Sequence, residues 1–354
     1  MTESLILKNR DDNSIVTTNQ TQQAAVRLYG PSDLRVERVP FDATLAPDEL
    51  LIRVRATGVC GSDLHPYETG SIGSTELNAP LVLGHEFSGV VEAVGSEVEN
   101  LRVGARVAVD PAWVCGTCRE CMSGNPNLCR RQRFCGLAPD DGSLRERMVA
   151  PARFCHAVPD SVSDASAALL EPLGIALHAT DLARIRVGAK VAILGAGPIG
   201  LCLAQTTRVA GAGTVWIHDP LEYRQKFAER YGALPLPNDA EADVVIEAAW
   251  ARESVQRAMD IARPGGTVVL VGIPFEDTVS FKHSVARRKG LTILMSRRMK
   301  NVYARGLQLV ESGRVDLESM VTHRFPLSET PHAFELNAKY QEEVVKIIIE
   351  NKAT

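Results

Sequence analysis

KVAILGAGPIGLCLAQTTRVAG, residues 190–211, is the stretch that decides the fold. Residues 190–194 are a short apolar run, as expected of a strand buried on both faces. Residues 199–210 carry apolar side chains at helical spacing. Between them Gly195, Gly197 and Gly200 form G-x-G-x-x-G, with Pro198 and Ile199 inside the turn. In such a turn the first glycine allows the tight bend, the second lets the backbone approach a pyrophosphate, and the third lets helix and strand lie close. The helix N-terminus then attracts the phosphate charge. Asp219 ends the next expected strand, about twenty residues further on, where a ribose-binding acid is required. Its charge would repel a 2′-phosphate, which predicts NAD as cofactor in preference to NADP. Arg224 is expected along the adenine or ribose edge, and Gly272 and Ile273 among the remaining cofactor contacts.

Outward from this motif the pattern alternates. Strands are expected at 190–194, 214–217, 243–247 and 267–271, and helices at 199–210, 221–231 and 254–262. That order predicts an α/β domain with a doubly wound parallel sheet. Residues 24–155 read differently, as short strands separated by turns, with alternation at 50–54 and apolar runs at 87–94 and 105–109. A helix is expected at 303–311, and a mixed segment, 322–349, is expected to pack back on the first domain. The first strand is placed at 24–29, after a polar tail over 1–23 that lacks the basic start and apolar run of a signal peptide. The 354 residues suit two domains, and a net charge of −4 gives no reason to expect nucleic acid or a membrane surface as partner. Arg130, Arg131 and Arg133 are a local basic exception. No apolar run is long enough to span a membrane.

Two constellations point to metal. Cys115, Cys118, Cys121 and Cys129 follow C-x2-C-x2-C-x7-C in VCGTCRECMSGNPNLC. Four thiolates this close cannot all pair as disulfides without strain, but they close readily around one tetrahedral ion, and four sulfurs leave no open position. The site is therefore structural. Cys60, Cys135, Cys155 and Cys202 are scattered singly, which favours a reducing cytoplasm. The second constellation is discontinuous: Cys60 in GVCGSDLH, His85 and Glu86 in VLGHEF, and Glu171 at the domain junction. Three such ligands with an open fourth place make a catalytic zinc site, and hydride transfer from an alcohol gains from a Lewis acid on its oxygen.

The run G-H-E-x2-G-x5-G-x2-V from Gly84 to Val98 resembles the signature of zinc-containing medium-chain dehydrogenases. The likeness extends from about residue 24 to 346, and CGSDLHPYETGSIG, FCGLAPDDGSLRE, LLEPLGIALHA, AGPIG and VTHRFPL are similar to the sorbitol and xylitol dehydrogenase branch. The resemblance implies a Rossmann domain at 173–305 and a mostly β, GroES-like catalytic domain at 24–172. Within the latter lies a zinc lobe at about 112–131, and residues 306–354 return to the catalytic domain. It implies two zinc ions per subunit. One is catalytic, on Cys60, His85 and Glu86, with Glu171 either a fourth ligand or the group that holds the metal-bound water; the other is structural, on the four clustered cysteines. It also implies a proton path through Ser62 and His65, a small polyol or sugar substrate, and a homotetramer or homodimer. Polyol enzymes of this branch carry a Tyr right after that His; here Pro66 stands there and Tyr67 one place later. Their substrate-binding Arg maps onto Arg297 or Arg298, and no Tyr follows either. Trp250 occupies a place usually filled by Gly, as core filling or as a wall of the pocket. The expected reaction is NAD-dependent oxidation of a secondary hydroxyl of a polyol, sugar or cyclitol. The alternatives are an amino-alcohol (threonine-type) dehydrogenase and a non-catalytic NAD-binding protein.

Overall fold

The computed structural model of the protein describes residues 21–73, 75–249, 251–274 and 278–351. Trp250 and most of the expected tail lie outside the described residues. The first strand is Thr21–Leu28, so residues 21–23, expected in the tail, belong to it. Those positions read as polar tail because they carry Thr and Gln; they are held by backbone pairing with Pro40, Val39 and Phe41 of Leu34–Phe41.

The cofactor-type sheet has six parallel strands. Across the sheet they run Leu234–Pro235, Thr214–His218, Lys190–Leu194, Ala242–Glu247, Ala262–Leu270 and Thr292–Met295. Numbered by sequence, that is the order 3-2-1-4-5-6, the doubly wound arrangement in which the chain reverses direction beside the Gly-rich turn. Its two faces bury separate apolar clusters, one around Leu201, Leu203 and Ile217, the other around Met259, Val268 and Val245. Helix Pro198–Val209 follows the glycine turn as expected, and Tyr303–Glu311 agrees with its expected limits. The expected helix at 221–231 is an α-helix at Glu222–Ala228 continued by a 3-10 turn.

The other domain is built on a seven-stranded sheet. Glu49–Gly58 lies at its centre, flanked by Glu86–Val94 on one side and Lys346–Glu350 on the other. The closing segment thus returns to the first domain as a strand, with Ile349 opposite Thr57. One helix, Leu170–Ala183, runs through the boundary expected between residues 172 and 173 and packs in the core of the parallel-sheet domain. No helix among the described residues is long and apolar enough to cross a membrane.

Gly200 sets how closely helix and strand approach: a Cβ there would stand 1.9 Å from the Gly195 carbonyl oxygen. Since backbone cannot yield as a flexible side chain does, Gly200→Ala should cost about 1–3 kcal/mol or more and displace the turn. Thermal denaturation and NADH-binding fluorescence should show a lowered midpoint together with weakened cofactor binding.

Candidate active site

At the glycine turn, Gly195 has φ +100°, a conformation that disfavours a side chain, and Gly197 caps the helix Pro198–Val209. The Asp219 carboxylate accepts the Ala196 N–H at 2.7 Å and the Leu221 N–H at 2.9 Å. The acid is therefore fixed against the turn. Arg224 borders the same turn, with one guanidinium nitrogen 3.6 Å from where a Cβ on Gly197 would be. It also donates to the Val344 carbonyl and stacks 4.9 Å from the Tyr340 ring, so it bridges to the returning segment. Gly272 lies against the buried Glu247 and the Ala249 carbonyl, and Ile273 is half exposed.

The discontinuous metal constellation converges. Cys60 caps helix Gly61–Thr69, Glu86 opens the strand Glu86–Val94, and His85 precedes it. Their donor atoms all lie within 4.8 Å of one another. Asp63 sets two of them. Its carboxylate accepts the Cys60 N–H at 3.3 Å, and it stands 3.3 Å from Nδ1 of His85. A carboxylate on one ring nitrogen leaves the other available to a metal ion, an arrangement found in many zinc sites. Lys346 sets the third: its ammonium is 2.6 Å from Glu86 Oε2 and donates to the Val59 carbonyl at 2.8 Å. Asp63 and Lys346 were not anticipated. Asp63 sits within the CGSDLH motif, and Lys346 shows only as a single charge inside the apolar run VVKIII.

Glu171 lies outside this three-ligand group, in the first turn of Leu170–Ala183. Burial raises its pKa to about 7, with His85 opposing and Glu86 adding to the rise. The Ser62 hydroxyl is 3.3 Å from both the Cys60 sulfur and Nε2 of His85. His65 is buried on the same helix, where desolvation lowers its pKa. The Tyr67 ring is turned elsewhere: it packs edge-on against Phe334, 5.4 Å between centroids, inside the core with Leu64 and Val59.

The two arginines part company. Arg297 is exposed and tied to the cysteine lobe, donating to the Asn127 carbonyl while its own carbonyl accepts from the Asn127 amide. Arg298 turns inward and lies over the Phe134 ring, 3.6 Å from its centre, and Phe134 in turn packs 5.2 Å from the His85 ring. Burial lowers the Arg298 pKa to about 10, against the pull of Glu171.

The four clustered cysteines also converge within 4.8 Å. Their sulfurs stand 3.5, 3.6 and 3.8 Å apart where they touch. Tetrahedral zinc with bonds of about 2.3 Å requires sulfurs about 3.8 Å apart, so the set fits a closed site. None of the eight cysteines is in a disulfide.

Comparison with known proteins agrees with this geometry. Residues 46–160 match the alcohol dehydrogenase GroES-like domain, and residues 198–312 match the zinc-binding dehydrogenase domain. The chain is 33% identical over 348 residues to the sorbitol dehydrogenase of Bacillus subtilis, covering 94% of this chain and 98% of that protein. It is 34% identical over 353 residues to the D-xylulose reductase of Saccharomyces cerevisiae, covering 94% and 99%. The chain belongs to the zinc-containing medium-chain dehydrogenases. A further member, a zinc-binding dehydrogenase of Sinorhizobium meliloti solved with NADP, has a TM-score of 0.85 and 32% identity, covering 94% of this chain and 100% of that one.

Three outcomes follow from the buried ion pair and the two candidate metal sites of this dehydrogenase. Lys346→Met strands Glu86 in the core, and should cost about 3–5 kcal/mol in denaturant unfolding of the metal-free protein; a loss below about 1 kcal/mol would show that the pair is not what holds Glu86. Cys118→Ser should lower the melting temperature and expose the lobe to proteolysis, because a closed metal site contributes folding energy. Cys60→Ser should leave the fold and NADH binding intact while abolishing turnover.

Proposed function

We propose that this dehydrogenase oxidises a secondary hydroxyl of a polyol, sugar or cyclitol to a ketone, with NAD as acceptor and two zinc ions per subunit. The observation that carries this reading is the convergence of Cys60, His85 and Glu86 in a chain whose relatives are named sorbitol dehydrogenase and D-xylulose reductase. Cys60, His85 and Glu86 would hold the catalytic ion, with Glu171 beside them. A bound zinc supplies Lewis acidity at the substrate oxygen. The chain's own groups do the rest. Asp63 and Lys346 fix the ligands in place before substrate arrives. Ser62, beside the Cys60 sulfur and the His85 ring, would take the hydroxyl proton and pass its own toward His65, on the same helix, which burial keeps in the neutral form that accepts one. Gly195, Gly197 and Gly200 cradle the cofactor's pyrophosphate.

The Asp219 carboxylate, fixed by two backbone N–H groups, supports NAD: its charge would repel the 2′-phosphate that NADP carries. Free cysteines fit a reducing compartment. The edge strand Thr292–Met295, with Met295 73% exposed, supports assembly into a homotetramer or homodimer through the parallel sheets.

Three measurements test the reading. Chelation of the zinc-loaded enzyme should abolish NAD reduction, and zinc should restore it. NAD should have the higher kcat/KM, and Asp219→Ser should narrow the NAD to NADP ratio by roughly tenfold or more, equivalent to about 1.4 kcal/mol. A panel of polyols, sugars, cyclitols, threonine and 2-butanol should give its highest efficiency among the polyhydroxylated compounds; equal turnover of 2-butanol or threonine would remove the substrate assignment and leave the zinc chemistry.

A further inference from the structure

One buried acid of the parallel sheet serves neither the metal sites nor the glycine turn. Glu247 ends the strand Ala242–Glu247 and is 2% exposed. Its polar partners are donors. Oε1 accepts the Ala249 N–H at 2.9 Å and the Ser254 hydroxyl at 2.7 Å. Oε2 faces Gly272, where a Cβ would stand 2.8 Å away, so the glycine leaves room for the carboxylate. Burial raises the pKa of this acid, but the donors from Ser254, Ala249 and Gly272 oppose the rise by favouring the charged form. Glu86, equally buried, has Lys346 beside it, whereas no cation among the described residues pairs with Glu247. A buried carboxylate without a counter-charge is costly, and a ligand that brings a positive charge would offset the cost. The sheet order says which part of a ligand lies there. A dinucleotide crosses the switch point between Lys190–Leu194 and Ala242–Glu247, with one mononucleotide over each half of the sheet. Asp219, just after Thr214–His218, marks the adenosine half. The nicotinamide half therefore belongs over the ends of Ala242–Glu247 and Ala262–Leu270, where Glu247 and Gly272 meet. The next residue, Ala248, walls the pyrophosphate turn: its N–H bonds the Leu194 carbonyl, and a Cβ on Gly195 would stand 2.7 Å from its carbonyl oxygen.

We propose that Glu247 is a fixed negative charge beneath the nicotinamide half of the cofactor site, and that it weights binding toward the oxidised, positively charged ring and away from the neutral reduced one. The proposal rests on the cofactor reading of the glycine turn and deepens it. An oxidised nicotinamide carries a positive charge that is lost when hydride is added to the ring. A fixed anion stabilises only the charged state, so it loosens the protein's grip on the reduced cofactor. Product release often limits turnover in enzymes, and a looser grip speeds that step when an alcohol is being oxidised. Glu247 touches no reacting atom; it is a positioning residue that acts through its field and through the Ala249 and Gly272 loops it ties together.

The test is calorimetric binding of NAD, NADH and ADP-ribose to the zinc-loaded enzyme. Glu247→Gln keeps the shape of the side chain and removes its charge. It should lower the affinity for NAD relative to NADH by roughly threefold to tenfold, the size expected of one unit charge acting across several ångströms of protein. ADP-ribose lacks the ring, so its affinity should be unchanged. Glu247→Asp keeps the charge, and should keep the NAD-to-NADH affinity ratio even where it weakens both. The unmodified enzyme gives a comparison that needs no variant: a dinucleotide with a neutral benzamide ring in place of the nicotinamide should bind more weakly than NAD. If Glu247→Gln does not fold, that comparison decides alone. The inference is overturned if Glu247→Gln weakens all three ligands alike, as a purely structural role requires, or leaves the NAD-to-NADH ratio where it was. It is also overturned if the neutral analogue binds the unmodified enzyme as tightly as NAD. Any of these results with the three ligands bound leaves the cofactor reading standing; no binding of any ligand to the unmodified enzyme removes both.

Discussion

A buried ion pair holds the centre of this molecule together. Lys346 and Glu86 are each 1% exposed, and neither charge survives there alone. The ammonium is matched by the carboxylate and by the Val59 carbonyl, one residue before Cys60. A single contact therefore joins the returning strand, the strand that opens with Glu86 and the loop that carries Cys60. Removal of either partner leaves an uncompensated charge, so the three segments are energetically obliged to meet. Asp63 repeats this on a smaller scale: one carboxylate takes the Cys60 and Gly84 N–H groups and orients His85.

Around that core further ionisable groups gather. Acids crowd the metal face: Glu86, Asp63 and Glu171 are buried, and desolvation also raises the pKa of Asp110 to about 6. Arg298 lies over the Phe134 ring, within the pull of Glu171 and Asp110.

How much of this was legible in the sequence depended on how local each signal is. The Gly195–Gly200 turn and the four clustered cysteines declare themselves because all their parts lie within one supersecondary unit, and spacing alone carries the geometry. Cys60, His85, Glu86 and Glu171 are separated by long stretches of chain, so only a family signature suggested their meeting; the fold brings the first three together and leaves Glu171 beside them. Asp63, Phe134 and Lys346 escaped because their roles arise from contacts that spacing does not encode. The Lys346–Glu86 contact spans 260 residues. Arg298 turns inward where Arg297 does not, at a left-handed residue that no pattern of residue types foretells. Tyr67, polar and well placed by register, faces Phe334 and the core because its helix turns that side inward.

The strand Lys346–Glu350 has a consequence for how the molecule comes into being. It inserts beside Glu49–Gly58, yet the whole parallel-sheet domain lies between them in sequence. During synthesis the ribosome completes that domain while the first sheet still lacks a member and Glu86 lacks its counter-charge. The catalytic half must wait, open at an edge, until its partner strand emerges. Birth order is thus inverted with respect to sequence: the domain encoded second is the first able to close, and the metal centre encoded first is the last to be finished.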